Sequence, residues 1–391
     1  VLLHADAVGG VFTYAVELAR ALAARRVEVV LATEGALLDG ARRAALAGVP
    51  LAGRHEASFR VEWMDDPWDD VARAGAWLLD VESRERPDVV HLGGFAHGAL
   101  PFRAPTLVVG HSCVASWWEA VRGGPLPPGW DRYRRAVRAG LQGAGAVAAP
   151  STWMAGALAR HHGPFGPVHV VPNGRDPARF PPCEKRPFVM GAGRLWDEAK
   201  GAATLAEAAR DVPWPVCLAG ETGRPGAADR GGAPGRGAEA PGGAARAPLD
   251  PDLEPHLDLA PGRLHLLGPL PEARLARWLG RAAVFAHPAR YEPFGLAVLE
   301  AALAGCALVL GDVESLRENW SDAALFVPPG DAPALAAALR RLARDGPRRE
   351  ALAARARARA LRLGPGALAE RTLGLYRALL GRAAARPEAR P

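Results

Sequence analysis

Short apolar runs alternate along the chain with longer stretches in which apolar residues recur every third or fourth position. The short runs read as strands buried on both faces and the longer stretches as amphipathic helices, the pattern of parallel sheets with crossover helices. In the first half the strand candidates are residues 1–5, 27–32, 88–92, 105–109, 144–148 and 168–171, each followed by a turn signal. The helix after the first of them is expected over 11–24, where Phe12, Val16, Ala19 and Leu22 share one face and Gly9-Gly10 stand in front.

The pattern breaks at Pro172-Asn173-Gly174-Arg175-Asp176-Pro177 and Pro181-Pro182 and then starts again. A second series follows at 187–190, 216–219, 264–267, 283–286, 307–310 and 324–327, again with helices between, and the chain then reads as helical over 331–382. The expectation is an α/β protein of two Rossmann-like, doubly wound domains. They cover 1–178 and 179–365, with 366–391 as a C-terminal helix and tail packing back toward the first domain. Residues 222–249 carry Gly, Ala, Pro and Arg with almost no large apolar side chain, so a flexible insertion is expected there.

With 391 residues, each half can bury a core of its own. No apolar run comes near the ~20 residues that a helix needs to cross a bilayer, which points to a soluble protein. The first residue is Val1, already inside a strand-like run, with no basic segment and apolar stretch before it. The chain therefore reads as trimmed or processed there, not secretory, and as cytoplasmic. Cys113, Cys183, Cys217 and Cys306 are far apart and form no C-x-x-C pair, so they read as reduced core thiols. The net charge of +6 is spread among acids along helices instead of gathered in a run, so no nucleic-acid partner is expected. Arg dominates Lys throughout, and only Lys185 and Lys200 depart from that bias.

In open α/β folds, ligands bind beyond the carboxyl ends of the strands. Gly191-Ala192-Gly193-Arg194-Leu195-Trp196-Asp197-Glu198-Ala199-Lys200 follows the first strand of the second series, which puts two cations at a strand end. The Arg194 guanidinium can fork onto phosphate oxygens and Lys200 adds a compact charge, so together they suit a diphosphate and can replace a divalent metal. Taken alone, they are also simply two solvated charges on a loop. Arg290-Tyr291-Glu292-Pro293-Phe294-Gly295-Leu296 likewise leaves a strand and opens a helix, with Glu300 in its second turn. Two carboxylates there can hold the hydroxyls of a sugar or a ribose. Taken alone, Glu292 is a first-turn acid favoured by the helix dipole and Glu300 the partner of some Arg.

These residues resemble the retaining glycosyltransferases of family 4, which have the GT-B fold of two Rossmann-like domains facing each other across a cleft. The resemblance spans nearly the whole chain. It rests on the Gly9-Gly10 loop, Pro172-Asn173-Gly174, the spacing of Arg194 and Lys200, and Glu292 to Glu300 as E-x7-E. It implies transfer of a sugar from a nucleoside-diphosphate sugar to an acceptor hydroxyl, with no cofactor and no metal. Arg194 and Lys200 would bind the diphosphate, Glu292 the sugar hydroxyls and Glu300 the ribose. Phe294, Gly295 and Leu296 would lie against the donor, and His111 would touch its sugar from the first domain. The catalytic set is then Arg194, Lys200, Glu292 and His111, with Gly9 and Gly10 letting a phosphate or acceptor approach the backbone.

His287-Pro288-Ala289 departs from the family's usual Pro-Ser before the motif. His161-His162 and His111-Ser112-Cys113 lack further ligands for a metal. Trp117 and Trp118 can stack on an acceptor sugar or rest on lipid headgroups, which leaves open a peripheral contact with the inner face of a membrane. The acceptor, whether a saccharide, a lipid-linked sugar or a small molecule, is not written in the sequence. A non-hydrolysing nucleotide-sugar epimerase and a catalytically idle sugar-nucleotide-binding protein are the alternatives.

Overall fold

The computed structural model describes residues 1–7, 9–223 and 264–385. The expected insertion at 222–249 lies almost wholly outside the described residues. The chain divides into two compact units, Val1–Gly174 with Leu363–Pro391, and Arg175–Arg362. The two crossing points are adjacent: a Cβ on Gly174 would lie 2.6 Å from the carbonyl oxygen of Gly364.

The first unit holds seven strands: β1 (Leu2–Asp6), β2 (Val30–Glu34), β3 (Gly53–Glu56), β4 (Val90–Leu92), β5 (Thr106–Val109), β6 (Ala146–Ala149) and β7 (Val168–Val170). They form one parallel sheet in the order β3-β2-β1-β4-β5-β6-β7. Successive side chains point to opposite faces, and the apolar residues sort accordingly. Leu3, Leu31, Val89, Leu107, Val109 and Ala148 pack under the helices Gly10–Ala23 and Pro365–Ala384. Leu2, Val30, Ala32, Val90, Leu92, Val108 and Val147 pack on the other face, beneath Trp68–Glu85, Asp131–Gly143 and Thr152–His162. The strand β3 was not foreseen, because Gly-Arg-His-Glu has no apolar run; an edge strand needs only backbone pairing with β2.

The last helix is held to this unit by a buried polar chain as well as by its leucines. The Tyr14 hydroxyl lies 3.3 Å from His91 Nε2, and the Tyr376 hydroxyl 2.7 Å from His91 Nδ1. Burial, with the nearby His111 and His4 adding to it, lowers the His91 pKa to about 3, so the ring bridges the two tyrosines in its neutral form.

The second unit holds six parallel strands: β8 (Arg186–Ala192), β9 (Val216–Ala219), β10 (Leu264–Gly268), β11 (Ala282–His287), β12 (Ala307–Gly311) and β13 (Ala324–Val327). Their order is β10-β9-β8-β11-β12-β13, and all six coincide with the expected runs. Val189, Val216, Leu218, Val284, Ala286 and Val309 pack with Leu205, Leu335, Leu339 and Leu352 of the covering helices. Lys185 is structural here: its Nζ donates to the carbonyls of Leu279 and Ala304 at 3.1 and 2.6 Å, near the ends of two helices. Of the four thiols three are buried, but Cys183 is exposed, which corrects the expectation of four core cysteines; it sits in the irregular stretch before β8. No helix among the described residues is long and apolar enough to cross a membrane.

Close packing between Asp131–Gly143 and the 3-10 turn Ala96–Ala99 depends on the absence of side chains. A Cβ on Gly140 would sit 1.8 Å from the Phe95 carbonyl oxygen, whereas one on Gly374, exposed in the last helix, meets nothing within 4 Å. Gly140→Ala is expected to destabilise the first unit by at least ~1–3 kcal/mol, the usual range for overpacking. Gly374→Ala is expected to stabilise it by up to ~1 kcal/mol. Chemical denaturation of the two variants reads both signs.

Candidate functional site

Strand order in the second unit reverses between β8 and β11, which pair directly in parallel. The space beyond the carboxyl ends of the strands at such a reversal is the usual ligand position in doubly wound sheets. The loop after β8 carries Arg194 and Lys200, and the loop after β11 carries Glu292. Backbone bonds tie the two loops together, with Arg290 N donating to the Ala199 carbonyl at 2.8 Å. Gly201, at φ 69°, faces Pro288 so closely that a Cβ would lie 2.3 Å from its carbonyl oxygen.

This scaffold puts Lys200 against Glu292. Lys200 Nζ donates to Glu292 Oε2 at 2.9 Å, and both side chains are only 14% exposed. His287, the last residue of β11 and 4% exposed, places its Nε2 2.9 Å from the same oxygen. Glu292 Oε1 is left with no partner among the described residues, and Lys200 keeps two of its three N–H groups. Burial by itself would raise the Glu292 pKa, but the Lys200 charge and the His287 hydrogen bond outweigh it and hold the carboxyl well below its usual range.

Arg194 Nη2 donates to Asp197 Oδ2 at 2.8 Å and the guanidinium lies over the Trp196 ring, 5.4 Å from its centroid. Its side chain is 38% exposed, and its Nε has no partner among the described residues. Asp197 also receives Ala199 N, which fixes the turn between the two cations. Gly295, at φ 91°, starts the helix Leu296–Leu303, whose first turn has no side-chain cap, so its amides remain available to an anion. The Phe294 side chain is buried in the core, which leaves only its backbone to meet a ligand; Leu296 is half-buried.

Glu300 meets a charge. Arg175 Nε lies 2.9 Å from Glu300 Oε1, and its Nη2 donates to Glu272 Oε2 at 2.6 Å. This is the Arg partner that the sequence had left open for Glu300, since a carboxylate so buried is balanced by a cation first. Arg175 is itself 2% exposed and stacked over Phe180. In the sequence Arg175 is one of a run of turn residues with no local mark of this role, whereas His287 stands out as a polar residue at the end of an apolar run.

In the first unit Gly9, at φ 81°, precedes the helix Gly10–Ala23 at the end of β1. His111 follows β5 with its ring 4.3 Å from that of Tyr14. Burial lowers its pKa to about 4, and its Nε2 is without a partner among the described residues. Trp118 packs on the core, and Trp117 lies under Arg122.

A pair of loop cations beside a carboxylate at one sheet reversal, with an uncapped helix start on the same loop, suits an anionic and hydroxyl-bearing ligand. The comparison with known families agrees. The family described as Glycosyltransferase Family 4 matches residues 8–179, and the one described as Glycosyl transferases group 1 matches 186–345. The chain belongs to glycosyltransferase family 4.

Among curated relatives, this glycosyltransferase is 34% identical over 248 residues to a D-inositol 3-phosphate glycosyltransferase of Kineococcus radiotolerans, a match covering 56% of this chain and 54% of the relative. It is 33% identical over 118 residues to the O-antigen chain mannosyltransferase B of Escherichia coli, covering 30% and 31%. The chain thus spans about half or less of the length of these relatives. Solved structures share its fold over nearly the full length. A sucrose-phosphate synthase from Thermosynechococcus elongatus superposes with a TM-score of 0.75 at 21% identity, covering 97% of this chain and 99% of that one. Anabaena HepE, solved in complex with UDP-glucose, gives 0.71 at 18%, covering 96% and 99%. The glycosyltransferase therefore has the GT-B fold.

The Lys200–Glu292 pair makes a prediction about stability. Because the carboxyl's folded pKa is depressed, its contribution is complete above the ordinary value of 4.5 and is lost only as pH falls through the lower folded value. At neutral pH, Lys200→Met and Glu292→Gln should each cost about 3 kcal/mol, and the double variant clearly less than their sum. Urea unfolding of the four proteins, followed through the second unit, measures the coupling.

Proposed function

We propose that this glycosyltransferase takes a nucleoside-diphosphate sugar as donor and moves its sugar to an acceptor hydroxyl with retention of anomeric configuration and without a metal at the diphosphate. One observation carries the reading: Lys200 and Glu292 satisfy each other while keeping two N–H groups and one carboxylate oxygen to offer. Lys200 and Arg194, helped by the amides at Gly295 and Leu296, take the diphosphate. Oε1 of Glu292 accepts hydroxyls of the sugar, and Glu300, steadied by Arg175, takes the ribose. That the Anabaena protein was solved with UDP-glucose supports a nucleotide-sugar donor.

Breaking the anomeric bond leaves negative charge on the nucleoside diphosphate. Fixed cations aimed at that charge stabilise the transition state more than the ground state. Retention fits a substitution in which acceptor and leaving group use the same face of the sugar, because Glu292 is engaged by Lys200 and His287 and is a poor covalent nucleophile. His287 holds Glu292 in place as the sugar arrives. The first unit offers His111 as a neutral imidazole whose Nε2 can bond a substrate hydroxyl.

Lys200→Ala is expected to lower turnover by about 10² to 10³ with the fold intact. Nucleoside diphosphates should raise the melting temperature of the wild type and do so less for this variant. Full turnover in Lys200→Ala would remove the assignment, and isotope exchange at the sugar's second carbon without any acceptor would instead identify an epimerase.

A further inference from the structure

The first unit contains a second cluster, on residues that the transfer reaction does not use. His4 in β1, Glu34 at the end of β2 and His97 in the 3-10 turn Ala96–Ala99 converge beneath the surface and are 1%, 5% and 4% exposed. Register explains the first two: Asp6 pairs with Glu34 across the parallel strands, so His4, two residues before Asp6, projects from the same face as Glu34. His97 arrives from the loop after β4, the strand on the other side of β1. One ligand atom from each of the three lies within 4.8 Å of the others, and among the described residues no other His, Cys, Asp or Glu set does this.

The separations match a metal's coordination shell. Glu34 Oε1 is 3.1 Å from His4 Nε2 and 3.5 Å from His97 Nε2. Ligands bound tetrahedrally to zinc at ~2.0–2.1 Å stand about 3.3 Å apart. A hydrogen-bonded cluster would align a proton along the short contact, yet His4 Nε2 has no hydrogen bond despite that distance, and neither has its Nδ1 or Glu34 Oε2. Buried polar atoms without partners are costly, and three on two facing side chains point to a group that both can share.

Close by, Glu62 accepts the amides of Phe95 and Ala96 at 3.0 and 2.6 Å and so sets the turn that presents His97.

We propose that His4, Glu34 and His97 form a binding site for a divalent transition metal, zinc in the first instance, which clamps β1, β2 and the turn after β4 together. The metal is structural and has no part in donor binding by the second unit.

Protein purified without chelator should carry about one metal per chain by elemental analysis, and Co2+ in its place should give the intense visible bands of a tetrahedral site. EDTA should lower the melting temperature by on the order of 5 °C, with Zn2+ restoring it. His97→Ala should lose both the cobalt spectrum and the EDTA response, while Lys200→Ala keeps both. If a variant fails to fold, the wild-type spectrum and melting shift still decide. Metal at background level, with no cobalt bands and no response to EDTA or Zn2+, overturns the proposal and leaves a proton-bound cluster.

Discussion

A lysine and a glutamate held 2.9 Å apart where a parallel sheet reverses its order are the contact around which the loops of the second unit are organised. Each charge is mostly removed from water, and each would be costly without the other. The pair therefore holds Lys200 aimed before any ligand arrives, which is the preorganisation that electrostatic catalysis requires. Arg194 is likewise matched by Asp197, so an acid balances each of the two loop cations. The amides at the start of Leu296–Leu303 supply the further positive potential.

The same logic extends outward through Arg175. Its guanidinium lies against both Glu300 and Glu272, and Arg179 also reaches Glu272. The segment that opens the second unit is thereby tied to two of its helices. Glu300 is thus oriented by charge.

In the first unit the polar interior is of another kind. Tyr14, His91 and Tyr376 form a neutral hydrogen-bonded chain that fastens the last helix to β4. In the His4, Glu34 and His97 group nearby, Glu34 Oε1 lies 3.1 Å from His4 Nε2 and 3.5 Å from His97 Nε2, yet both ring nitrogens of His4 and Glu34 Oε2 have no hydrogen bond. A fully satisfied chain rigidifies a core, whereas a close but unsatisfied cluster calls for a further partner.

Much of this protein was legible in its sequence. Apolar period and turn residues determined two parallel sheets, because strands buried on both faces admit few other residues. The strand-end positions of Arg194, Lys200 and Glu292, and that of Glu300 in the helix that follows, came from the same pattern. What only the tertiary structure decided was pairing. Arg175 lay in a run of turn residues, and nothing local marks it as the counter-charge of Glu300. His287 stood out only as an odd residue before a motif. His4, Glu34 and His97 belong to separate segments, and only the parallel register of β1 with β2 and the return of the chain after β4 bring them together. Hydrophobic periodicity reports which face of an element is buried; it carries no information on which buried charges will meet, because that depends on strand order and register across the whole sheet.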